Sequence, residues 1–438
     1  MRTAVLAFAA GAIVVGAHNP LQARQGASTQ TSFAFSLATT DSTAIPLASI
    51  VSNAPSQATQ TLRTTFAPGT IPTGVSGAPP LPNAALLVPS NYPALDVVVP
   101  TDSPEVQQWI KDVATSGFAI PNITQTVAGG CPANLQAAAD TTRCWWTCGG
   151  CVNSTDIVSC PDPLTWGSTF DDGPAPYTPN LLQFLEENNL RTTFFEVGSR
   201  VISRPLITQY QYMTNHQIAV HTWSHPSLTT LTNEQIIGEL GWSKKIIKDV
   251  IGVTPTHFRP PFGVDRVRAI AAAMNLKTVI WTRISPEATF DTDDFDLASG
   301  VSTPSEVLQN WDHIKDNATV LKTGFILLEH DLFQQSVDIA TGYIYPDALA
   351  HQPPFKIQTV IECMHKPLND AYIETNDNST NPVASGGAPA LSPGASGSAQ
   401  ATGGGSGNSS SSNGKSAATC VAPPLALVFT FVLTMAFF

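Results

Sequence analysis

Four short stretches of this sequence bring together residue types that could carry out chemistry at their spacing. Thr169-Phe170-Asp171-Asp172-Gly173-Pro174 sets two adjacent carboxylates before a Gly-Pro turn, which can aim them in different directions. His221-Thr222-Trp223-Ser224-His225-Pro226 places two imidazoles at i and i+4; on a helical turn they would share one face and suit one metal ion. A single histidine in such a run is usually a core residue, but the pair, with an acidic pair from another strand end, points to a cation. Two His and one carboxylate leave coordination positions open for water or substrate, as in catalytic zinc sites. In Phe258-Arg259-Pro260-Pro261-Phe262-Gly263 the prolines stiffen a loop, and its Arg259 can pair with a carboxylate, keep it ionised and orient it. Leu327-Leu328-Glu329-His330-Asp331 puts His330 directly after an apolar run, where a general acid would sit at the end of a buried strand. His257, His313, His351 and His365 lack comparable context and receive no role.

Strands and helices must alternate to hold these groups. Residues 164–170, 192–197, 277–281 and 325–328 read as strands from their β-branched, aromatic and apolar content. Residues 180–187, 234–251 (behind a Thr232-Asn233 cap) and 264–274 carry the apolar spacing of helices. The alternation predicts an α/β fold with a parallel sheet, functional groups at the carboxyl ends of its strands, and a distorted or incomplete (β/α) barrel over 161–370.

The flanks read differently. Met1 and Arg2 precede an apolar run, Ala4 to Val15, and a small-residue site, so 1–17 is expected to be a secretory signal peptide. Residues 18–100 and 371–413, rich in small and polar residues without period 2 or 3.6, are expected to be extended low-complexity stalks or linkers. A Gly/Ser/Asn spacer followed by the apolar, uncharged Leu425 to Phe438 makes 414–438 an expected GPI-attachment propeptide. Attachment would fall among Ser409, Ser410, Ser411, Ser412, Asn413 and Gly414, with Cys420 removed. A transmembrane anchor, the rival reading, would normally carry Lys or Arg on its cytoplasmic side. On these signals the protein is expected to be secreted and GPI-anchored at the outer face of the plasma membrane and/or in the cell wall. In that oxidising setting Cys131, Cys144, Cys148, Cys151, Cys160 and Cys363 are expected to form three disulfides, with 15 connectivities open. Cys363 lies far from the others, so one bridge should tie the end of the core to its beginning. Residues 101–160 form a Cys-containing lead-in whose Trp145 and Trp146 are expected to pack against disulfides rather than sugars. Asn122, Asn153, Asn317, Asn378 and Asn408 each open an N-glycosylation sequon.

Lys plus Arg number 21 against 33 Asp plus Glu, a net charge of −12, which excludes a protein that wraps nucleic-acid phosphates. No protein partner is evident. A hydrophobic content of 42% excludes disorder over the whole length.

Taken in order, TFDDGP, HTWSHP, RPPFG and LLEHD resemble the motif set of the polysaccharide deacetylases, carbohydrate esterase family 4, over roughly residues 160–365. The stalked, tail-anchored layout is similar to that of fungal chitin deacetylases. The resemblance implies that Asp172, His221 and His225 hold one divalent metal, zinc as first choice and cobalt as the alternative. It implies Asp171 as general base with Arg259 bonded to it, the backbone N–H of Phe262 as an oxyanion donor, and His330 as general acid. The family's Asp-x-x-Asp-Trp element matches Asp291-Thr292-Asp293-Asp294-Phe295, with Phe for Trp and after an apparent insertion, Thr282 to Phe290. Asp294 is the first choice for orienting His330 and Asp291 the second.

The expected reaction is release of acetate from N-acetylglucosamine units of chitin. A metal would polarise the carbonyl and acidify the attacking water, Asp171 would take the water's proton, and His330 would protonate the leaving amine. The competing readings are an O-acetyl esterase of the same fold acting on xylan-type polysaccharides and a non-catalytic glycan-binding wall protein. A zinc peptidase would need an HExxH pattern, which the chain lacks.

Overall fold

The run expected as one strand from 164 to 170 serves two sheets in the computed structural model, which describes residues 34–382. It divides at Ser168 into β1 (Thr165–Gly167) and β2 (Thr169–Asp171). The Ser168 N–H donates to Gln358 and its carbonyl accepts from Thr193, while its hydroxyl bonds Thr192 and Tyr345. The chain therefore changes neighbours at this residue. β2 leads a five-stranded parallel sheet with β3 (Thr193–Glu196), β4 (Gln217–Val220), β5 (His257–Phe258) and β6 (Lys277–Thr278), in that order. β1 lies between β7 (Phe325–Ile326) and β8 (Lys356–Gln358) in a three-stranded parallel sheet. A few bonds link the sheets at both edges, among them Asp171 N–H to the Glu329 carbonyl at 2.9 Å and Thr282 N–H to that of Ile326 at 3.0 Å. The fold is α/β and parallel, as its alternation predicts, with two short-stranded sheets joined by isolated bridges in place of one continuous ladder.

Helices fill the crossovers, as parallel strands require. Thr178–Glu187 follows β2, Gly198–Ser203 and Pro205–Met213 follow β3, Asn233–Ile251 follows β4, and Asp265–Ala273 follows β5. The 233–251 helix starts where its sequence says it should: Thr232 accepts from Gln235 N–H while the Gln235 side chain accepts from Thr232 N–H. It stops at Gly252, whose φ of +86° ends the helix in the left-handed region. Ile236, Ile237, Leu240, Ile246 and Ile247 are all buried. A second helix, Pro104–Thr115, packs across it at Gly241, where Trp109 leaves no room for a Cβ.

Two expected boundaries are corrected. Residues 34–100 are not a free stalk but lie along the core, with Ile50, Val75, Leu81 and Val99 at most 2% exposed. Their regular structure is limited to three short 3-10 turns, so the segment shows no period in sequence. Its polar backbone is satisfied by the core: Ala38 N–H donates to Asp347, Gln57 N–H to Gln334, and Tyr343 Oη to the Ile45 carbonyl. The core also runs past residue 370. Tyr372 Oη accepts from Ile218 N–H at 3.0 Å, Glu374 accepts from Thr254, and Asn381 is 1% exposed. The expected signal peptide, Asn408, the 409–414 attachment region, Cys420 and the apolar tail lie outside the described residues.

The six cysteines pair as Cys131–Cys148, Cys144–Cys151 and Cys160–Cys363, the last across 203 positions, tying the end of the core to its beginning. Trp145 and Trp146 are buried, Trp146 edge-on to Trp281 with centroids 5.6 Å apart. Asn122, Asn153 and Asn378 are exposed and Asn317 half-buried. Among the described residues no helix is long and apolar enough to cross a membrane.

Candidate active site

Asp171 ends β2, its N–H donating to Glu329 and its carbonyl accepting from Asp331 N–H at 3.1 Å. The next residue, Asp172, has φ +80°, a conformation rare outside glycine, and the backbone turn sends the two carboxylates to different places. Gly173 then passes so close to Asp331 that a Cβ would lie 2.6 Å from its carboxylate oxygen. Only glycine fits there.

The two imidazoles meet by a route other than the helical turn that their spacing implied. Beyond β4 the segment 221–225 is irregular, with Thr222 at φ +69° and His225 at +57°. His225 N–H closes the turn on Thr222 Oγ1 at 2.9 Å. His221 Nδ1–H donates to the Arg259 carbonyl at 2.8 Å, which fixes the tautomer and presents Nε2 as a ligand. That Nε2 lies 3.5 Å from Asp172 Oδ1, and His225 Nε2 lies 3.2 Å from the same oxygen. The candidate ligand atoms of Asp172, His221 and His225 all fall within 4.8 Å of one another. Among the described residues Asp172 Oδ1 and His221 Nε2 are buried without a hydrogen-bond partner, an arrangement that is costly unless something else occupies them. Burial pushes both imidazoles below their usual pKa, towards the neutral, ligating form. Burial opposes ionisation of Asp172, but the fields of His225, Arg200, His221 and His330 outweigh it and hold this carboxyl well below the usual range. One anionic oxygen and two neutral imidazoles fit a divalent cation.

The second carboxylate is held apart from this set. Arg259 Nη1, at the end of β5, donates to Asp171 Oδ1 at 2.6 Å and to Thr169 Oγ1 at 2.9 Å. Asp171 Oδ2 stands 3.7 Å from His221 Nε2. Burial lifts the Asp171 pKa to about 6, assisted by Asp172 and opposed by Arg259 and His330. Arg259 orients the carboxylate as expected, but burial outweighs its stabilisation of the ionised form.

His330 is gripped by Asp294 twice. Asp294 Oδ1 lies 2.8 Å from His330 Nδ1, and Oδ2 accepts the His330 backbone N–H at 2.9 Å. Asp291 bonds the Asp293 N–H instead. Burial favours neutral imidazole, yet Asp294, then Asp172 and Asp171, raise the His330 pKa to about 10. The Thr282 to Phe290 insertion folds out as a small hairpin, with Arg283 bridging Thr289, and Phe290 N–H returns to the Thr282 carbonyl at 2.9 Å. The chain thus re-enters beside Leu328, so the insertion leaves Asp294 within reach of His330. Phe295, at the expected Trp position, lies 5.2 Å from the His330 ring. Phe262 is 6% exposed, in a loop whose Gly263 carbonyl accepts the Trp146 N–H at 3.1 Å.

Arg200 was not legible in sequence. Its Nη1 donates to the Asp172 carbonyl at 2.6 Å and lies 3.7 Å from Asp172 Oδ1. Nothing local marks it, because it reaches the site from the helix after β3. Glu239, whose carboxylate lies behind the histidine loop, did leave a signal: an acid among Ile236, Ile237 and Leu240 on the apolar face of a helix.

Comparison with known proteins gives a consistent set of relatives. The polysaccharide deacetylase family matches over residues 159–279. Chitin deacetylase 1 of Cryptococcus neoformans var. grubii is 50% identical over 340 residues, 76% of this chain and 71% of that one. The chitin deacetylase of Amylomyces rouxii is 35% identical over 229 residues, 46% of this chain and 52% of its own. Among solved structures, the chitin deacetylase of Colletotrichum lindemuthianum aligns with a TM-score of 0.44 at 21% identity, covering 51% of this chain and 97% of that one.

Proposed function

The chain belongs to the polysaccharide deacetylases, and from that premise we propose that it hydrolyses the N-acetyl groups of chitin, releasing acetate and leaving glucosamine in the polymer. The observation that carries this reading is the division of labour between adjacent carboxylates. Asp172 faces two imidazoles, while Asp171, 2.6 Å from Arg259, is kept as a proton acceptor.

Asp172, His221 and His225 would hold the cation, zinc by the chemistry of the donor set. When bound, it supplies Lewis acidity to the acetamide carbonyl and eases loss of a proton from water. Asp171 accepts that proton as the water oxygen bonds to the carbonyl carbon, and it is ionised for the task above pH about 6. The Phe262 N–H is assigned to the oxyanion, where one donor is worth about 3 kcal/mol of barrier. Asp294 engages Nδ1 of His330, so the transferable proton is the one on Nε2. His330 passes it to the nitrogen as the C–N bond breaks, which turns a poor leaving group into an amine. The acetyl carbon departs as acetate.

We also propose that the protein works outside the cytosol, attached through its carboxyl-terminal region. Three disulfides and the exposed sequons Asn122, Asn153 and Asn378 support the oxidising compartment.

The test uses the whole chain, because residues 34–100 contribute to the core. Acetate release is measured from N-acetylglucosamine oligomers and from acetylated xylan, with and without chelator. Release from the oligomers that chelator stops and zinc restores is expected. Release from xylan alone refutes the substrate, and chelator-insensitive release refutes the metal triad.

A further inference from the structure

The loop that carries both imidazoles is tied on one side to residues 196–199, through His221 N–H on the Glu196 carbonyl and the Thr222 and Trp223 carbonyls on Gly198 and Ser199 N–H. On the other side three of its donors converge on one buried carboxylate. Glu239, 0% exposed, points from the 233–251 helix to the back of this loop. Its Oε2 accepts Trp223 N–H at 2.9 Å and Ser224 N–H at 2.8 Å. Its Oε1 accepts the Ser224 hydroxyl at 2.9 Å and Val99 N–H at 3.1 Å. Three of these four donors belong to residues between His221 and His225. The fourth comes from the amino-terminal segment, which braces the same loop elsewhere. Tyr92 stacks on Trp223 with the rings 3° from parallel and 6.2 Å apart, and Trp223 Nε1–H donates to the Ala94 carbonyl at 2.9 Å.

We propose that Glu239 is the positioning residue of the metal loop, and that residues 92–99 complete its bracket. The left-handed Thr222 and His225 are unfavourable and persist only where surrounding bonds over-determine them. A carboxylate with four donors supplies that constraint, and it fixes the two residues that link the imidazoles. Without it, Trp223 and Ser224 N–H groups must seek other partners, and any rotation of their peptides moves the two Nε2 atoms off Asp172. A ligand set tolerates only about 0.5 Å of such movement. The inference rests on reading Asp172, His221 and His225 as the metal site.

Full-length Glu239→Gln tests it. The amide keeps the shape, but its NH2 must face one pair of donors, where Val99 N–H or a loop N–H loses its acceptor. Cobalt is titrated into metal-free protein and followed by its visible absorption and by competition with a chelator. Parent-like far-ultraviolet circular dichroism, at least tenfold weaker cobalt binding and an altered cobalt spectrum are expected. Leu308→Ala truncates a buried side chain of the Pro304–Val320 helix, which supplies none of the bonds to the histidine loop named above, and is expected to lower stability while keeping parent affinity and spectrum. Parent-like cobalt binding by Glu239→Gln overturns the inference, as does equal loss in Leu308→Ala, which would make the effect one of general stability. A parent protein that takes up no cobalt refutes the triad itself and the positioning role with it.

Discussion

Asp294→Asn removes a charge while preserving the size of the side chain that holds His330. In the parent, burial alone would keep His330 neutral, and Asp294 is the foremost of the groups that reverse this and raise its pKa to about 10. Relative to the ordinary value of about 6.5 this is some 3.5 units, or about 5 kcal/mol in favour of the charged form. A general acid must be protonated to act, so activity is lost as pH rises through its pKa. If the variant's pKa returns only to 6.5, about one molecule in thirty carries the proton at pH 8. Rates at pH 8 should therefore fall at least about thirtyfold, and less at pH 6. The assay is kcat/KM for acetate release from N-acetylglucosamine oligomers between pH 5 and 10, at saturating zinc. A bound cation depresses both pKa values alike, so the displacement of the alkaline limb between parent and variant is the quantity to read. An alkaline limb that stays in place, or a loss of rate equal at every pH, would refute the assignment of His330 as an acid tuned by Asp294.

Three further outcomes are expected. Asp171→Asn should lower acetate release by a factor of about 10² to 10⁴ while bound zinc stays near one per chain, whereas His221→Ala should lose the zinc as well; equal zinc loss in both means that the two roles are misassigned. His257 is buried and held neutral with its pKa lowered to about 3, so the unfolded chain alone takes up a proton as pH falls below 6.5. Stability should drop by about 2 kcal/mol between pH 6.5 and 5 on this account, and urea denaturation of His257→Gln should show that much less acid sensitivity. Replacing Cys160 and Cys363 together with alanine opens a 203-position closure and should cost up to about 5 kcal/mol, read as a lower denaturant midpoint; an unchanged midpoint would show that the bridge constrains nothing.

Chemistry was legible in this sequence where it is local. Asp171-Asp172 followed by Gly173-Pro174 reads as a turn that aims two carboxylates apart, and the Thr232 capping box starts the 233–251 helix at the residue its sequence marks. The choice of Asp294 over Asp291 came from the resemblance, through the family's Asp-x-x-Asp-Trp element, and the 282–290 hairpin, which closes on itself, leaves that match in place. Spacing misled at His221 and His225, where an i, i+4 pair meets through two left-handed residues instead of a helical turn. The amino-terminal 34–100 segment was misread for a related reason. It takes its hydrogen bonds and burial from distant residues such as Asp347, Gln334 and Glu239, so no period in its own sequence records them.

The sequence by itself determined which side chains are available for catalysis and that alternating strands and helices would carry them to strand ends. Only the tertiary structure decided that Asp172 faces the imidazoles while Asp171 faces Arg259, that Asp294 raises the proton affinity of His330, and that Arg200 and Glu239 support the set. These are properties of contacts made across 15 to 140 positions and of shared burial. Local propensity fixes residue type and backbone shape, whereas proton affinity and aim are set by whatever the fold packs alongside.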